Sequence, residues 1–411
     1  MTEPMETQSL GSPDTHGWRQ PVAVAAGCAV LGLLIFPAGR ALPAPLAMIG
    51  LGAALVGASL LLSWAADAAE VEISGGLVLA GITLVTVLPE LIVEVHFAYT
   101  QQTSLVSANL TGATRLLLTG ATAMPVIGAW LLARRGQQAP SAAYRLAPAR
   151  RVDLAVLFVA AAYGILLALL GRISLIDGAL LIALYLFYVR RLGGTPDEPP
   201  AVVGVSAGLA ALPPRQRRRW LAGLLALSAV VVGVVAVPFT NALQTTGTSV
   251  GINSYLLVQS IVPAATETPE FVVAIVLALN RRPGQGLAVF LAASVAQWTL
   301  ALGVLPWAQL AGGGPSSLPL DTRATVEVLL TVSTTLMAVA ALASLTPKRI
   351  DSGIVLTLWA IQFAFPATGV RVVVAVILAM FALDILAANH RSVRPMFASL
   401  RSRHPPPAPP G

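Results

Sequence analysis

Two Thr-x-x-Pro-Glu motifs lie 180 residues apart, Thr86–Pro89–Glu90 and Thr266–Pro269–Glu270, each embedded in an apolar run. A carboxylate at bilayer depth costs about 2.5–3.5 kcal/mol on insertion scales, so a chain that carries one is expected to use it. The proline before each glutamate removes a backbone donor and leaves a carbonyl one turn back, at Val85 and Ala265, without its helical partner. Such a break is tolerated in a membrane only where it is packed in protein or lines a polar cavity. Two acids in the same five-residue frame, one in each half of the chain, point to a duplicated cation or proton site.

Helical spacing places Thr86, Glu90 and Glu94 on one stripe. Thr266 and Glu270 align in the same way, with Glu267 near that face. The helices that follow add Asn109, Thr111 and Thr114 in one half, and Ser294, Gln297 and Thr299 in the other. These side chains offer oxygen and include no His/Cys cluster. They suit Ca2+, Na+ and protons better than zinc or copper. The expected cation- or proton-binding set is Glu90, Glu270, Thr86, Thr266, Glu267, Glu94, Gln297 and Asn109, with Glu90 and Glu270 as the metal-contacting carboxylates. Arg115 is a cation among these helices and is expected to pair with Glu94 or Glu267. It either replaces one bound ion or neutralises an added glutamate. His96, Asp177 and Asp384 lie near the ends of apolar runs and read as interfacial.

The elements that must carry these residues follow from composition. Of 411 residues 56% are hydrophobic and only 10% charged, with a mean hydropathy of +0.80. Soluble domains carry about 25% charged residues, so the chain is an all-α polytopic membrane protein. Runs of about 20 apolar residues cross a bilayer. They occur at 21–39, 42–64, 76–99, 105–133, 152–170, 173–190, 221–243, 251–279, 286–309, 325–345, 352–367 and 370–388, which predicts about 12 transmembrane helices. The expected organisation has a polar N-terminal tail (1–20), a peripheral helix (21–39) and a first half (42–190). A basic, proline-rich linker (191–220) leads to a second half (221–367). A last peripheral helix (370–388) and a Pro-rich disordered tail (389–411) complete it. Cys28 is the single cysteine and forms no intrachain disulfide.

The formal charge of +7 reflects arginines confined to particular loops, so it reads as topology rather than as a nucleic-acid partner. Loops 134–151, 191–220, 280–285 and 346–351 and the tail hold most of them. The alternate loops have little beyond Arg40, Arg172, Arg323 and Arg371. The positive-inside rule therefore places both termini in the cytoplasm of a plasma (inner) membrane protein. The helix of Glu90 then begins inside and that of Glu270 outside. Equal motifs in opposite orientation are the mark of an inverted repeat, here five plus five helices.

The two motifs resemble the alpha repeats of the calcium/cation antiporter superfamily, whose pattern is Gly-Thr-Ser-x-Pro-Glu. A Gly-Asn-x-x-Gly-Ser-Asn type helix follows about twenty residues later. Thr86 and Thr266 fall on its threonine, Glu90 and Glu270 on its ion-binding carboxylates, and Asn109 and Gly112 on part of the second motif. The stretch Ala293–Ser294–Val295–Ala296–Gln297 is similar to the Gly-Ser-x-x-Gln helix of the calcium/proton exchanger branch. The resemblance implies a secondary antiporter exchanging Ca2+ or Na+ for H+ (or Na+) by alternating access at a midplane site, with no cofactor. This sequence departs from the pattern at Val85, Ala265, Val87, Glu267, Ala113 and Thr114. Those losses keep a second reading open, a non-transporting relative that senses ions or scaffolds a partner. An intramembrane enzyme ranks last, because no Gly-x-Ser-x-Gly, His-Glu-x-x-His or phosphate loop occurs.

Overall fold

A computed structural model describes residues 17–38, 42–72, 87–138, 144–192 and 202–401. Thr86 and the first part of the 76–99 run lie outside them. The chain opens with α1 (Arg19–Ala38), α2 (Ala44–Ala69), the short α3 (Leu88–Tyr99) and the long α4 (Thr103–Arg134). Then come α5 (Arg151–Leu170), α6 (Leu175–Leu192), the single-turn α7 (Val205–Ala210) and α8 (Pro214–Ser249). The second motif lies across α9 (Ser254–Thr266) and α10 (Thr268–Leu279). They are followed by α11 (Pro283–Ala296), a π-helical turn (Gln297–Ala301) and α12 (Leu302–Ala311). The last helices are α13 (Thr322–Leu342), α14 (Arg349–Ala364), α15 (Thr368–Ala388) and α16 (His390–Ala398).

Among the described residues eight helices are long and apolar enough to cross a membrane, or nine when the bent pair α9–α10 counts as one span. The expected number was about 12. Of the remaining runs, α14 has 16 residues and is only about 24 Å long, shorter than a bilayer's hydrocarbon core. The linker is also more ordered than its composition suggests. Arg215 and Arg217–Arg219 form the first turns of α8 instead of a loop, because Pro214 starts the helix at a position where a missing N–H costs nothing.

The helices pack around α4, which touches α3, α9, α10, α11, α13 and α14. On one side α2 is sandwiched between α1 and α8; on the other α13 lies between α5 and α15. Exposed apolar side chains such as Leu34 on α1 and Val373, Met380 and Leu383 on α15 leave these two helices largely facing outward. Close approach needs small residues. Gly112 on α4 lies against the Gln259 carbonyl of α9, where a Cβ has no room.

The two ends of the bundle differ. At one end Glu72 receives Arg217 and Arg218, each at 2.7 Å, and Leu146 N–H donates to the Leu345 carbonyl at 2.8 Å. At the other, a strand pair joins Arg172–Ser174 (β1) to Ser317–Pro319 (β2), and Tyr99 abuts Gly312. The helix α3 therefore ends at the β1–β2 end, whereas α10 ends with Ala278 beside Gly128, near the far end of α4. The two glutamate-bearing helices run in opposite directions.

Two predictions follow from this packing. Gly112→Ala forces α4 and α9 apart and lowers stability by about 1–3 kcal/mol, measurable as a fall in the unfolding temperature of the detergent-solubilised protein. The hydrogen bonds from Arg218 and then Arg217 hold the Glu72 carboxyl below its ordinary range. A depressed folded-state value means that this tie is present above the unfolded value near pH 4.3 and is lost as the pH falls through the folded one. Glu72→Gln removes that acid-dependent component of stability, and an unchanged acid unfolding profile in the variant contradicts the assignment.

Candidate functional site

The two motifs adopt the same local structure. Leu88, Pro89 and Glu90 open α3, and Thr268, Pro269 and Glu270 open α10, so each proline sits in the first turn and each glutamate just behind it. The residues ahead of them share one conformation, with φ −82° and ψ −6° at Val87 and φ −86° and ψ 0° at Glu267. Pro269 has no N–H to give the Ala265 carbonyl, so the span bends by 50° between α9 and α10. The first-turn N–H groups of a helix create positive potential, which favours carboxylates at Glu90 and Glu270.

The two helix starts bring acids of the two halves together. Glu90 lies within hydrogen-bonding reach of Glu267, Thr266 and Gln297. Glu267, 1% exposed, also faces Glu270 and accepts a bond from Gln297 Nε2 at 3.3 Å. One turn beyond Glu90, the fully buried Glu94 takes Asn109 Nδ2 at 3.3 Å. The π turn begins at Gln297. Such turns often mark functional positions, and this one is held by Trp298 Nε1 donating to Thr335 Oγ1 at 2.8 Å. The structure thus assembles Glu90, Glu94, Thr266, Glu267, Glu270, Asn109 and Gln297 in one neighbourhood.

The electrostatics are one-sided. Among the described residues no ion pair involves Glu90, Glu94, Glu267 or Glu270. Glu94 Oε2, Asn109 Oδ1, Glu270 Oε2 and Gln297 Oε1 are buried acceptors without a donor. Buried polar atoms are ordinarily satisfied, so these four acceptors with nothing to accept from suit a cation or protons. The acids do not already form a closed cage; among the described residues no three His, Cys, Asp or Glu side chains are arranged to hold a metal. A cavity of about 20 Å³, room for a single water, adjoins Gln297 and is lined by Ser107, Thr111, Thr114 and Thr331 among apolar side chains.

Several hydroxyls expected to line the site turn back to their own helices. Thr111 donates to the Ser107 carbonyl at 2.6 Å, Thr114 to Leu110 at 2.8 Å, Ser294 to Phe290 at 2.8 Å and Thr299 to Val295 at 2.5 Å. Asp177 is a structural cap that accepts from Ser174 N–H at 2.7 Å and from the Tyr163 hydroxyl at 2.5 Å. His96 is half-buried at the far end of α3 beside Phe97.

The expectation for Arg115 is corrected. Its Nη1 lies 2.6 Å from Glu327 Oε2 on α13, and it pairs with neither Glu94 nor Glu267. Arg371 of α15 holds the other Glu327 oxygen, and Gln259 Nε2 donates to Oε2 at 2.9 Å. Sequence reasoning passed over Glu327 and counted Arg371 as a loop residue. The missed signal was an acid inside the apolar run 325–345, the same signal that singled out Glu90. Asp67 is in the last turn of α2 and close enough to Glu270 to act on it electrostatically.

A helix bundle with opposed helices that start at Pro-Glu steps and meet at buried acids defines an exchanger-type membrane transport fold. The sequence profile described as "Sodium/calcium exchanger protein" matches residues 42–192 and 220–368, and the chain belongs to that family. A crystal structure of the H+/Ca2+ exchanger CAX is 28% identical, covers 95% of this chain and 99% of its own, and superposes with a TM-score of 0.86. Native YfkE is 14% identical over 88% of this chain and 99% of its own, with a TM-score of 0.58. The sodium-calcium exchanger NCX_Mj, soaked with Na+ and Sr2+, is 17% identical over 84% and 99%, with a TM-score of 0.51. The last two share the fold. A comparison with curated protein sequences finds no significant match.

The Glu94–Asn109 contact makes a specific prediction. Asn109→Leu leaves a buried carboxylate without its donor and destabilises the protein by about 1–3 kcal/mol. Glu94→Gln in the same background recovers part of that loss, and additive effects of the two changes in thermal unfolding would rule out their coupling.

Proposed function

We propose that the protein is a secondary active cation antiporter that exchanges Ca2+ or Na+ for H+ (or Na+) at the Glu90–Glu267–Glu270 cluster. The observation that carries this reading is a group of four buried acids with no cationic partner among the described residues, two of which, Glu94 and Glu270, keep an oxygen without a donor. Cation and proton compete for the same carboxylates, so one must leave before the other binds. Thr266, Gln297 and Asn109 supply neutral oxygens, and Glu94 supplies a further carboxylate one turn from Glu90. Thr86 would add a hydroxyl in the first half, as Thr266 does in the second. The relative at 28% identity is described as an H+/Ca2+ exchanger, which favours Ca2+ and H+ as the pair.

Opposed α3 and α10 support two halves, 42–190 and 221–367, related by inversion, with the site where they meet. Alternating access then consists of the outer elements of the bundle rocking against this core. The basic loops gather at the end of Glu72 and Leu146, which supports cytoplasmic placement of that end and of both termini. The test is cation flux in proteoliposomes under an imposed proton or sodium gradient. Wild type is expected to accumulate Ca2+ or Na+, and Glu90→Gln and Glu270→Gln each to lower the rate at least about a hundredfold. Wild-type-like flux in both variants would overturn the site. Absence of flux in wild type under every gradient would favour the ion-sensing or scaffold reading.

A further inference from the structure

We infer that Glu327 is a positioning residue for the transported cation, because it sequesters the buried Arg115 guanidinium that would otherwise add positive charge to the site. The inference rests on the antiporter reading above. Three side chains carry it, Arg115 from α4, Glu327 from α13 and Arg371 from α15. All are buried, and the two carboxylate oxygens take one guanidinium each. Gln259 of α9 completes the contact, reaching Glu327 Oε2 at 2.9 Å and Thr111 Oγ1 at 3.4 Å.

The arrangement is hard to account for as stability alone. Replacing a buried ion pair with apolar residues is often neutral or stabilising, so such a pair is weak evidence of a stabilising role. Its place in the fold is more telling. Gln259 and Thr266 lie seven residues apart on α9, and Asn109 and Arg115 six apart on α4, about 10 Å of helix rise in each case. The cavity lined by Thr111, Thr114 and Thr331 is also lined by Gln297, and Thr111 accepts from Gln259 of the ion network. A full positive charge uncovered at Glu327 acts across about 10 Å of weakly screening interior on a cation bound by Glu90, Glu267 and Glu270. That interaction corresponds to tenfold or more in affinity for a monovalent cation and more for a divalent one. The carboxylate of Glu327 offsets one of the two guanidinium charges and holds Arg115 against α13.

The inference explains why an arginine is compatible with a cation-binding bundle. Its charge is answered on the side of α4 that faces α13 and α15, which leaves the acids on the other side uncompensated. It also assigns α15, otherwise an outward-facing helix, a part in the electrostatics of the site through Arg371.

The experiment is a double-mutant cycle on proteoliposome flux, measuring the apparent KM for Ca2+ and for Na+ in the full-length protein. Glu327→Gln is expected to raise KM for the transported cation at least about tenfold. Arg115→Leu leaves Glu327 paired with Arg371 and is expected to leave KM at or below the wild-type value. In the Arg115→Leu/Arg371→Leu background, Glu327→Gln is expected to have little effect, because both charges it holds have gone. If Glu327→Gln alone does not fold, the comparison of Arg115→Leu/Arg371→Leu with and without Glu327→Gln decides. A similar KM in those two supports the inference, and a tenfold rise on loss of Glu327 there overturns it. Wild-type KM in a folded Glu327→Gln single variant also overturns it. No cation flux in wild type would instead remove the antiporter reading on which it rests.

Discussion

The constraint on which the rest of the structure depends is a group of carboxylates buried without counter-charge. Glu90, Glu94, Glu267 and Glu270 sit inside an apolar bundle, and none is ion-paired among the described residues. Removing a charge from water costs several kcal/mol after relaxation, and a missing partner leaves that cost uncompensated. The local architecture reduces it in specific ways. Two helices start at the acids and present their free N–H groups, a π turn places Gln297 against Glu267, and Asn109 donates to Glu94. What remains unsatisfied at the acids and their amide neighbours are acceptor oxygens, which suit a cation or a proton.

The protein treats its buried charges of opposite sign differently. Arg115 and Arg371 are tied to one carboxylate by short contacts, whereas the site acids face one another. The two groups are held apart by α4 and α9, which approach closely at Gly112 and carry residues of both. A cation site and a fixed cation thus coexist within about two helical turns. The broken α9–α10 junction belongs to the same logic. Glu267 stands at the hinge itself, so any change in the bend moves a carboxylate.

Much of this was legible in the sequence, for identifiable reasons. The Thr-x-x-Pro-Glu frame fixed both glutamates at equivalent positions because proline dictates where a helix can restart. Helical spacing then brought Glu94, Asn109 and Gln297 to the same neighbourhood. Partner choice was less legible. Arg115 was expected beside Glu94 or Glu267, yet its partner is 212 residues away on α13, a contact that no local periodicity encodes. Arg371 looked like a loop arginine because it lies one turn from the start of its helix. The prolines and arginines of 191–220 read as a linker, but Pro214 opens α8 and Arg217 docks on Glu72. Thr111, Thr114, Ser294 and Thr299, like Thr266, each donate to a carbonyl of their own helix, a use of the hydroxyl that spacing does not reveal.

The central claim is that cation and proton compete for the same buried carboxylates. Its most direct test is the number of protons released when Ca2+ or Na+ is added to the purified protein in weakly buffered detergent solution, with binding heat recorded in parallel. The account predicts proton release that scales with cation occupancy and an apparent affinity that falls as the pH is lowered. Saturable cation binding with no proton release and no dependence on pH would contradict it.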